Sequence, residues 1–408
     1  MADPLARWNL SYTRRQFLGV SAAGLALVGG GEGLEYGREM LQQERAWRAA
    51  ARPNDEFLRT HAALFRHVSV GASFAPEQWP PGAHAPGEPL AALDWAARDL
   101  GIRQVRLGLR WQRVEWRRGQ VDLSMYRPFL DYAFDNNLAI CLNLGPMRTF
   151  RWPEEHLPRW LAQAIDMPPT GARIKPATPV TEAASDYLVR LLDALVAEYG
   201  AERLASVAMV QPENEPFYPL RSHKWVLDGA YVKDVIGQLN TVFPRSRILT
   251  TTAGRLNFGP IQDLFAGLLA DSPDYRGRLV MGFDYHYKTP LRDSFPIIKY
   301  TDPITFQRVG YQTCEGNREM ARSLGYGIEV TEGQAEPFGD LDAPGNSVRH
   351  FRFMLLRCAD RVLQRDQPSV IRIWGIEEMA KKALAGLTTG EHAAIFDLVR
   401  RVNAAAGA

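Results

Sequence analysis

From residue 68 onward, short apolar runs typical of β-strands alternate with longer runs that carry apolar residues at helical spacing. The first strand-like run is Val68 to Phe74. The helical run Leu90 to Leu100 follows it and stops at Gly101, a residue suited to capping a helix C-terminus. The same alternation continues to the end of the chain, and it predicts a parallel α/β arrangement.

The sequence predicts eight strands and the helices that separate them. The strands are Val68 to Phe74, Val105 to Leu109, Ala139 to Leu144, Leu204 to Val210, Ile248 to Thr252, Leu279 to Tyr285, Gly327 to Thr331 and Val370 to Trp374. The helices are Leu90 to Leu100, Met125 to Leu138, one that opens at Thr178, Leu227 to Val242, Ile261 to Leu269, Phe306 to Leu324, Ser347 to Leu363 and His392 to Val402. Eight strands, each followed by a helix, favour a closed (β/α)8 barrel, the TIM-barrel fold. A doubly wound open sheet is the alternative, but no Gly-rich dinucleotide-binding fingerprint follows any strand.

Composition excludes several classes of protein. The 408 residues are 46% hydrophobic, which is enough for a large core. The 48 basic and 46 acidic residues nearly cancel, so the overall charge gives no indication of nucleic-acid binding. The three cysteines, Cys141, Cys314 and Cys358, are too few for a dense disulfide framework and show no metal-ligand spacing. We therefore expect no nucleic-acid partner, no metal and no organic cofactor.

The first thirty residues resemble an export signal rather than part of a globular fold. Thr13 to Leu18 matches the twin-arginine motif, and an apolar run from Phe17 to Gly31 follows. This run is short for a membrane-spanning helix, which needs about 20 residues, and no clear cleavage site follows it. We expect either a cleaved signal or a retained membrane anchor. In both cases the twin-arginine export machinery would carry the folded protein across the cytoplasmic membrane.

These patterns divide the chain into three regions. Residues 1–34 form the predicted twin-arginine signal or membrane anchor. Residues 35–65 are charged and helical in composition, and they are predicted to be a helical spacer. Residues 66–408 contain the alternating strands and helices, and they form the predicted barrel domain.

The stretch from Gln211 to Phe217 is the strongest candidate for a functional loop. It follows the predicted strand Leu204 to Val210, which should end at Pro212 because proline cannot donate a ladder hydrogen bond. Asn214 and Glu215 then lie on a turn at the carboxyl end of the strand, which is the edge of a barrel where catalytic groups lie. A capped turn with solvated acids is the alternative for this stretch taken alone.

Polar and aromatic residues also follow the other predicted strands. They are Arg106, Arg110 and Trp111 for strand two, Met147, Arg148, Arg151 and Trp152 for strand three, Asp284, Tyr285, His286 and Tyr287 for strand six, Glu332 for strand seven and Trp374 for strand eight. A closed barrel would bring these distant residues to one rim. Structural roles stay open for several of them: an internal salt bridge for Arg106, a core position for His286, and ordinary packing for Trp111 and Trp152.

Two carboxyl groups at such a rim, those of Glu215 and Glu332, suit the cleavage of a glycosidic bond. One group protonates the departing oxygen, and the other attacks the anomeric carbon or activates water. The proton donor must stay protonated near neutral pH. A nearby arginine keeps the second carboxyl ionised, a tyrosine hydroxyl orients it, and tryptophan stacks on a sugar ring.

These residues, in this order, resemble glycoside hydrolase clan A, a group of retaining enzymes on a (β/α)8 barrel. The run Asn214 to Pro216 matches the clan's strand-four motif, which implies that Glu215 is the acid/base. The run Val330 to Glu332 matches its strand-seven motif, which implies that Glu332 is the nucleophile. The resemblance covers roughly residues 66 to 400. It implies supporting roles for Arg106 on strand two, His286 and Tyr287 on strand six, and Trp374 on strand eight.

The chain departs from the clan's pattern after strand seven. Gly333 stands where the clan usually has an aromatic residue or leucine. Glu329 and Glu336 lie close to Glu332, and strand alternation places Glu329 on the opposite face of the strand. Glu336 falls in the following loop, where it either binds substrate or turns the chain. Glu213 creates the same ambiguity beside the strand-four glutamate.

The sequence thus predicts an exported, retaining O-glycosyl hydrolase that acts on an oligo- or polysaccharide by double displacement. Glu215 is the predicted acid/base and Glu332 the predicted nucleophile. Supporting or substrate-binding residues are Arg106, Asn214, Tyr285, His286, Tyr287, Trp374, Trp111 and Trp152. The alternatives are a carbohydrate-binding barrel without turnover and a transglycosylase of envelope polysaccharide assembly.

Overall fold

Eight parallel strands close into a barrel, and helices cover its outside. The last strand pairs with the first in parallel register, with Val70 opposite Ile371. The computed structural model describes residues 31–78, 88–150, 155–218, 225–252, 258–286, 304, 314–334 and 348–406. The predicted (β/α)8 barrel is confirmed, and the open-sheet alternative is wrong.

The barrel strands are β1 (Val68–Phe74), β2 (Gln104–Gly108), β3 (Ala139–Asn143), β4 (Met209–Gln211), β5 (Arg247–Thr252), β6 (Leu279–His286), β7 (Gly327–Gln334) and β8 (Ser369–Ile373). A short parallel ladder of Arg173–Ile174 with Val226–Leu227 lies outside the barrel sheet. Within the described ranges the α-helices are Gly31–Ala49, Asn54–Thr60, Ala62–Phe65, Glu88–Asp99, Trp111–Val114, Arg127–Asp135, Arg159–Ala164, Pro179–Leu204, Gly229–Val242, Phe258–Asp271, Cys314–Leu324, Val348–Arg357, Ile376–Leu384 and Gly390–Ala406. A π-helical turn, Cys358–Val362, continues the helix Val348–Arg357.

Strand β4 is shorter than the sequence predicts. The apolar run from Leu204 predicts a strand, but Leu204 ends the helix Pro179–Leu204 and β4 begins only at Met209. Leu204 is buried at this helix end, after a break at Gly200, which has a φ of 69°. A short buried apolar run has the same composition in a helix and in a strand, so periodicity alone could not separate the two.

The helices that precede the barrel pack against it. Phe57 and Phe65 are buried in the same core cluster as the barrel's own helices. The carboxylate of Glu39 forms an ion pair with Arg357 at 3.3 Å on the helix after β7. Residues 35–65 thus lie in three helices and the turns between them, and they contribute buried side chains to the core.

The predicted export segment, residues 1–30, lies outside the described residues. In the part of the chain that the structure describes, no helix combines the length and the apolar character that crossing a membrane requires.

An ion-pair cluster joins strands β5, β7 and β8 of the barrel. Glu329 on β7 accepts a hydrogen bond from Arg247 on β5 at 2.8 Å and another from Arg372 on β8. Glu329 and Arg372 are almost fully buried, whereas Arg247 reaches solvent. Burial acts to raise the pKa of Glu329, but the guanidinium groups of Arg372 and Arg247 outweigh it and the net shift is downward. Glu329 is thus a structural carboxylate that neutralises a buried arginine.

Replacing Glu329 with alanine should destabilise the barrel, because Arg372 would stay buried without its counter-charge. We expect the free energy of unfolding to fall by about 3–5 kcal/mol, as measured by urea denaturation. Glu198→Ala is the matched control, since it removes a partly exposed ion pair with Arg127 at 2.8 Å. The control should cost less than about 1 kcal/mol. Equal losses in the two variants would contradict the structural role of Glu329.

Candidate active site

A single buried guanidinium, that of Arg106 on β2, connects three strands at the carboxyl end of the barrel. Its Nη1 donates to Glu332 Oε1 at 2.9 Å, its Nη2 to Asn214 Oδ1 at 2.6 Å, and its Nε to Gln211 Oε1 at 2.8 Å. The guanidinium also lies over the ring of Phe150, 4.3 Å from its centroid. Arg106 therefore fixes the predicted nucleophile relative to the residue that precedes the predicted acid/base.

Glu332 reaches this position because β7 is irregular. The register between β6 and β7 slips by one residue between Val330 and Glu332. Simple alternation predicts Glu329 and Glu332 on opposite faces, and this expectation is wrong, since both form their ion pairs inside the barrel. A β-bulge inserts one extra residue and re-aims the side chains that follow it. The two glutamates therefore differ in depth, with Glu332 at the carboxyl end of the barrel.

His286, the last residue of β6, lies beside Glu332. Its Nε2 is 3.7 Å from Glu332 Oε2, and its Nδ1 is 2.8 Å from Oε1 of Gln334, the last residue of β7. Glu332 therefore has Arg106 on one carboxylate oxygen and the imidazole near the other. The structure brings His286, Arg106 and Glu332 together as the sequence predicts.

Glu215 has an unusual backbone that is fixed on both sides. Its φ of 42° lies in the left-handed region, which few residues other than glycine adopt. Its backbone N–H donates to Thr251 Oγ1 at 2.8 Å, and its carbonyl accepts from Arg148 Nη1 at 2.7 Å. Backbone strain of this kind persists only where the surroundings hold it, and it clusters at functional sites. The turn predicted at Asn214 and Glu215 is thus rigid and buried.

Glu213 is a structural carboxyl that joins the loops after β3 and β4. It accepts hydrogen bonds from the Arg148 N–H at 2.6 Å, the Met147 N–H at 3.2 Å and the Tyr231 hydroxyl at 2.9 Å. Burial raises the pKa of Glu213 to about 8, although these hydrogen bonds oppose the shift. Through these contacts Glu213 fixes the loop that carries Arg148.

A third acidic residue, Asp284 on β6, belongs to the same electrostatic cluster. It is fully buried, and its Oδ1 accepts a hydrogen bond from the hydroxyl of Thr331. Burial raises the pKa of Asp284 well above its usual range, and the nearby charges of Glu332 and Glu215 raise it further, against the effect of Arg106. Sequence reasoning placed Asp284 at the rim but gave it no role. The available signal was its position two residues before His286, on the same face of β6.

Two of the predicted substrate-binding aromatic residues are core residues instead. Trp111 is fully buried, stacks on Tyr187 with 4.8 Å between ring centroids, and donates its indole N–H to Glu115 at 2.7 Å. Tyr285 is buried in the cluster that packs between the barrel and its helices. Both rings therefore pack in the core.

The other predicted aromatic residues have mixed outcomes. Trp374 follows β8 directly, is partly exposed, and donates its backbone N–H to the carbonyl of Gly333 at 3.2 Å. This position keeps it at the carboxyl end of the barrel. Trp152, Tyr287 and the alternative carboxyl Glu336 lie outside the described residues.

All three cysteines are buried and none is in a disulfide. Across the described ranges, no group of three or more His, Cys, Asp and Glu side chains is arranged to hold a metal ion. The described site brings together carboxyl groups, an arginine and an imidazole.

Solved structures with a similar fold include carbohydrate-active enzymes. Xylanase 10B from Thermotoga maritima has a TM-score of 0.50 at 12% sequence identity, over 84% of this chain and 98% of that chain. The catalytic domain of the beta-amylase from Paenibacillus polymyxa also has a TM-score of 0.50 at 12% identity, over 82% of this chain and 98% of that chain. No protein-family model and no curated protein matches the sequence. The fold is shared. At this level of identity the similarity establishes the barrel architecture, and the function must be argued from the site.

The contact between the loops after β3 and β4 should be sensitive to any added side chain at Gly145. A Cβ there would lie 2.7 Å from the Cα of Glu213 and would also meet the carbonyl of Pro212. We expect Gly145→Ala to lower the free energy of unfolding by about 1–3 kcal/mol, as measured by urea denaturation.

The control for this prediction is Gly237→Ala. Gly237 lies within the helix Gly229–Val242, and nothing is within 4 Å of a Cβ built there. Alanine should stabilise that helix by about 0.5–1 kcal/mol. Stabilisation by both substitutions would show that the loops do not pack as tightly as the structure indicates.

Proposed function

We propose that this protein is a retaining glycoside hydrolase in which Glu332 is the nucleophile and Glu215 the acid/base. The observation that carries the proposal is the contact of one buried arginine with both catalytic elements. Arg106 pairs with Glu332 at 2.9 Å and holds Asn214, the residue before Glu215, at 2.6 Å. The guanidinium therefore fixes the position of the Glu332 carboxyl and of the residue next to Glu215.

In the first step, a carboxylate oxygen of Glu332 attacks the anomeric carbon of the sugar. The bond between that carbon and the departing oxygen breaks, and Glu215 gives its proton to this oxygen. In the second step, ionised Glu215 takes a proton from water, whose oxygen attacks the same carbon. The ester bond to Glu332 breaks, so both residues return to their starting forms and the anomeric configuration is retained.

The surroundings of the two glutamates support these different roles. Arg106 Nη1 lies 2.9 Å from Glu332 Oε1, and His286 Nε2 lies 3.7 Å from Glu332 Oε2. The side chain of Glu215 is buried on a turn whose backbone is fixed by Thr251 and Arg148. The similar fold of a xylanase and a beta-amylase is compatible with an oligo- or polysaccharide substrate.

The assignment of Glu332 predicts a specific chemical rescue. Glu332→Ala should abolish release of sugar from every activated glycoside that the wild type cleaves, because no covalent intermediate can form. Added azide should restore cleavage by attacking the anomeric carbon directly, and nuclear magnetic resonance should show a glycosyl azide of inverted configuration. Full activity of this variant without azide would mean that another carboxyl is the nucleophile.

The assignment of Glu215 predicts the opposite stereochemistry. For glycosides with poor leaving groups, kcat/KM of Glu215→Ala should fall by about 10²–10⁴-fold, because no acid protonates the departing oxygen. Azide should now attack the glycosyl-enzyme and yield a glycosyl azide of retained configuration. Products longer than the substrate in the wild-type reaction would indicate transglycosylation, and oligosaccharide binding without any cleavage would indicate a binding protein.

We also propose that the protein is exported by the twin-arginine pathway. The motif from Thr13 to Leu18 and the apolar run after it support this proposal. Changing Arg14 and Arg15 together to lysine should retain the protein in the cytoplasm, as fractionation and immunoblotting would show. A lysine pair elsewhere, at Arg400 and Arg401, is the control, and undiminished export of the Arg14 and Arg15 variant would contradict the proposal.

A further inference from the structure

Asp284 has no established role, and its contacts are unusual for a buried carboxyl group. The side chain is fully buried, and Thr331 donates a hydrogen bond to Oδ1. Its Oδ2 has no hydrogen-bond partner among the described residues. No lysine, arginine or histidine in the described part of the chain forms an ion pair with it. An ionised carboxylate in such a place would be costly, because a buried charge needs a partner.

The charges around Asp284 also favour its neutral form. Glu332 and Glu215 face it from β7 and from the loop after β4, and Arg106 faces it from β2. The guanidinium of Arg106 already donates to Glu332 and Asn214. Burial, followed by the charges of Glu332 and Glu215, raises the pKa of Asp284 against the effect of Arg106. Arg106 thus lies near three carboxyl groups, and it forms an ion pair with that of Glu332.

The hydrogen bond from Thr331 to Asp284 lies at the bulge that aims Glu332. The register slip between β6 and β7 leaves Thr331 as the extra residue, directly before Glu332. The Thr331 carbonyl accepts a hydrogen bond from Ser73 on β1 at 2.8 Å. Gly282 makes room for the threonine side chain, since a Cβ there would lie 2.8 Å from Thr331 Oγ1. Thr331 is thus fixed through its backbone by β1 and through its side chain by β6.

We propose that Asp284 is a positioning residue that, as a neutral carboxylic acid, holds Thr331 in the β7 bulge and so aims the nucleophile Glu332 without adding a further negative charge to the site. This inference rests on the proposed function, because it takes Glu332 as the nucleophile. It assigns the catalytic site a third carboxyl that takes no covalent part in the reaction.

The pH dependence of kcat/KM separates a neutral from an ionised Asp284. A negative charge on Asp284 would raise the pKa of the neighbouring Glu215. Asparagine removes that charge, so Asp284→Asn would then move the alkaline limb of the profile to lower pH. If Asp284 is neutral, asparagine has the same charge and nearly the same shape. The alkaline limb of the Asp284→Asn profile should then stay within about 0.3 pH units of that of the wild type. A shift of one unit or more to lower pH would overturn the proposal.

Removing the Thr331 hydroxyl, which donates a hydrogen bond to Asp284, tests the positioning role. Thr331→Val keeps the shape of the side chain but cannot donate. We expect kcat to fall about 10–100-fold with KM changed by less than about threefold, because a misplaced nucleophile affects the chemical step rather than binding. Asp284→Asn keeps an oxygen acceptor for Thr331 and should retain kcat within about threefold of the wild type. Wild-type kcat in Thr331→Val would overturn the positioning role.

A measurement without substrate keeps the inference separate from the proposed function. An acid with a higher pKa in the folded than in the unfolded state stabilises the fold at low pH, and this contribution is lost as pH rises above about 3.9. The urea midpoint of the full-length wild type should therefore fall relative to that of Asp284→Asn between about pH 4 and about pH 8. Asp263→Asn, at an exposed position of the helix Phe258–Asp271, measures the background.

The two readouts distinguish the possible failures. A constant midpoint difference between wild type and Asp284→Asn across this range would mean that Asp284 is ionised in the folded protein, and the inference would fail. A wild type inactive on every glycoside, together with the expected midpoint trend, would refute the proposed function and the aiming of a nucleophile, and would leave a neutral structural acid.

Discussion

The buried guanidinium of Arg106 is the interaction on which the carboxyl end of the barrel depends. A charge buried inside a protein is costly unless it is paired and fully hydrogen-bonded. Arg106 meets this requirement with one carboxylate, that of Glu332, and with the side-chain oxygens of Asn214 and Gln211. Since these partners come from β7 and from β4 and its loop, the electrostatic requirement of one side chain sets the relative positions of both.

Two local departures from regular backbone make this arrangement possible. The β7 bulge brings Glu332 to the interior, although alternation from Glu329 would place it outside. The left-handed φ of Glu215 turns the chain directly after β4, and hydrogen bonds from Arg148 and to Thr251 hold it there. Both departures cost free energy locally, and both are stabilised by side chains from other strands. The site is therefore a property of several neighbouring strands rather than of any one motif.

The sequence predicted most of the barrel and the central residues of the site. Six strands agree with prediction to within one residue at each end, because their apolar runs are bounded by turn or helix signals: β1, β2, β3, β5, β6 and β8. Arg106, Asn214, Glu215, His286 and Glu332 converge as expected, since the carboxyl ends of parallel strands meet at one rim. The helix Ile376–Leu384 was not predicted.

The errors share a physical cause, which is that a residue type does not reveal which way a side chain points. Trp111 and Tyr285 are of residue types that often bind sugars, but their rings pack in the core. In the sequence, Asp284 is one of four polar or aromatic residues near the end of β6. Its burial close to Glu332 and Glu215 places it in the same electrostatic cluster.

The sequence by itself determined the alternation of strands and helices, and with it the closed barrel and the rim where the polar residues gather. The reason is that the periodic spacing of apolar residues depends only on neighbouring positions in the sequence, so it can be read without the tertiary structure. Only the tertiary structure decided which carboxyl faces the interior, which is paired with Arg106 and which has its pKa raised by burial. Those properties depend on a bulge, on burial and on charges contributed by strands far apart in the sequence, so no single stretch of residues encodes them.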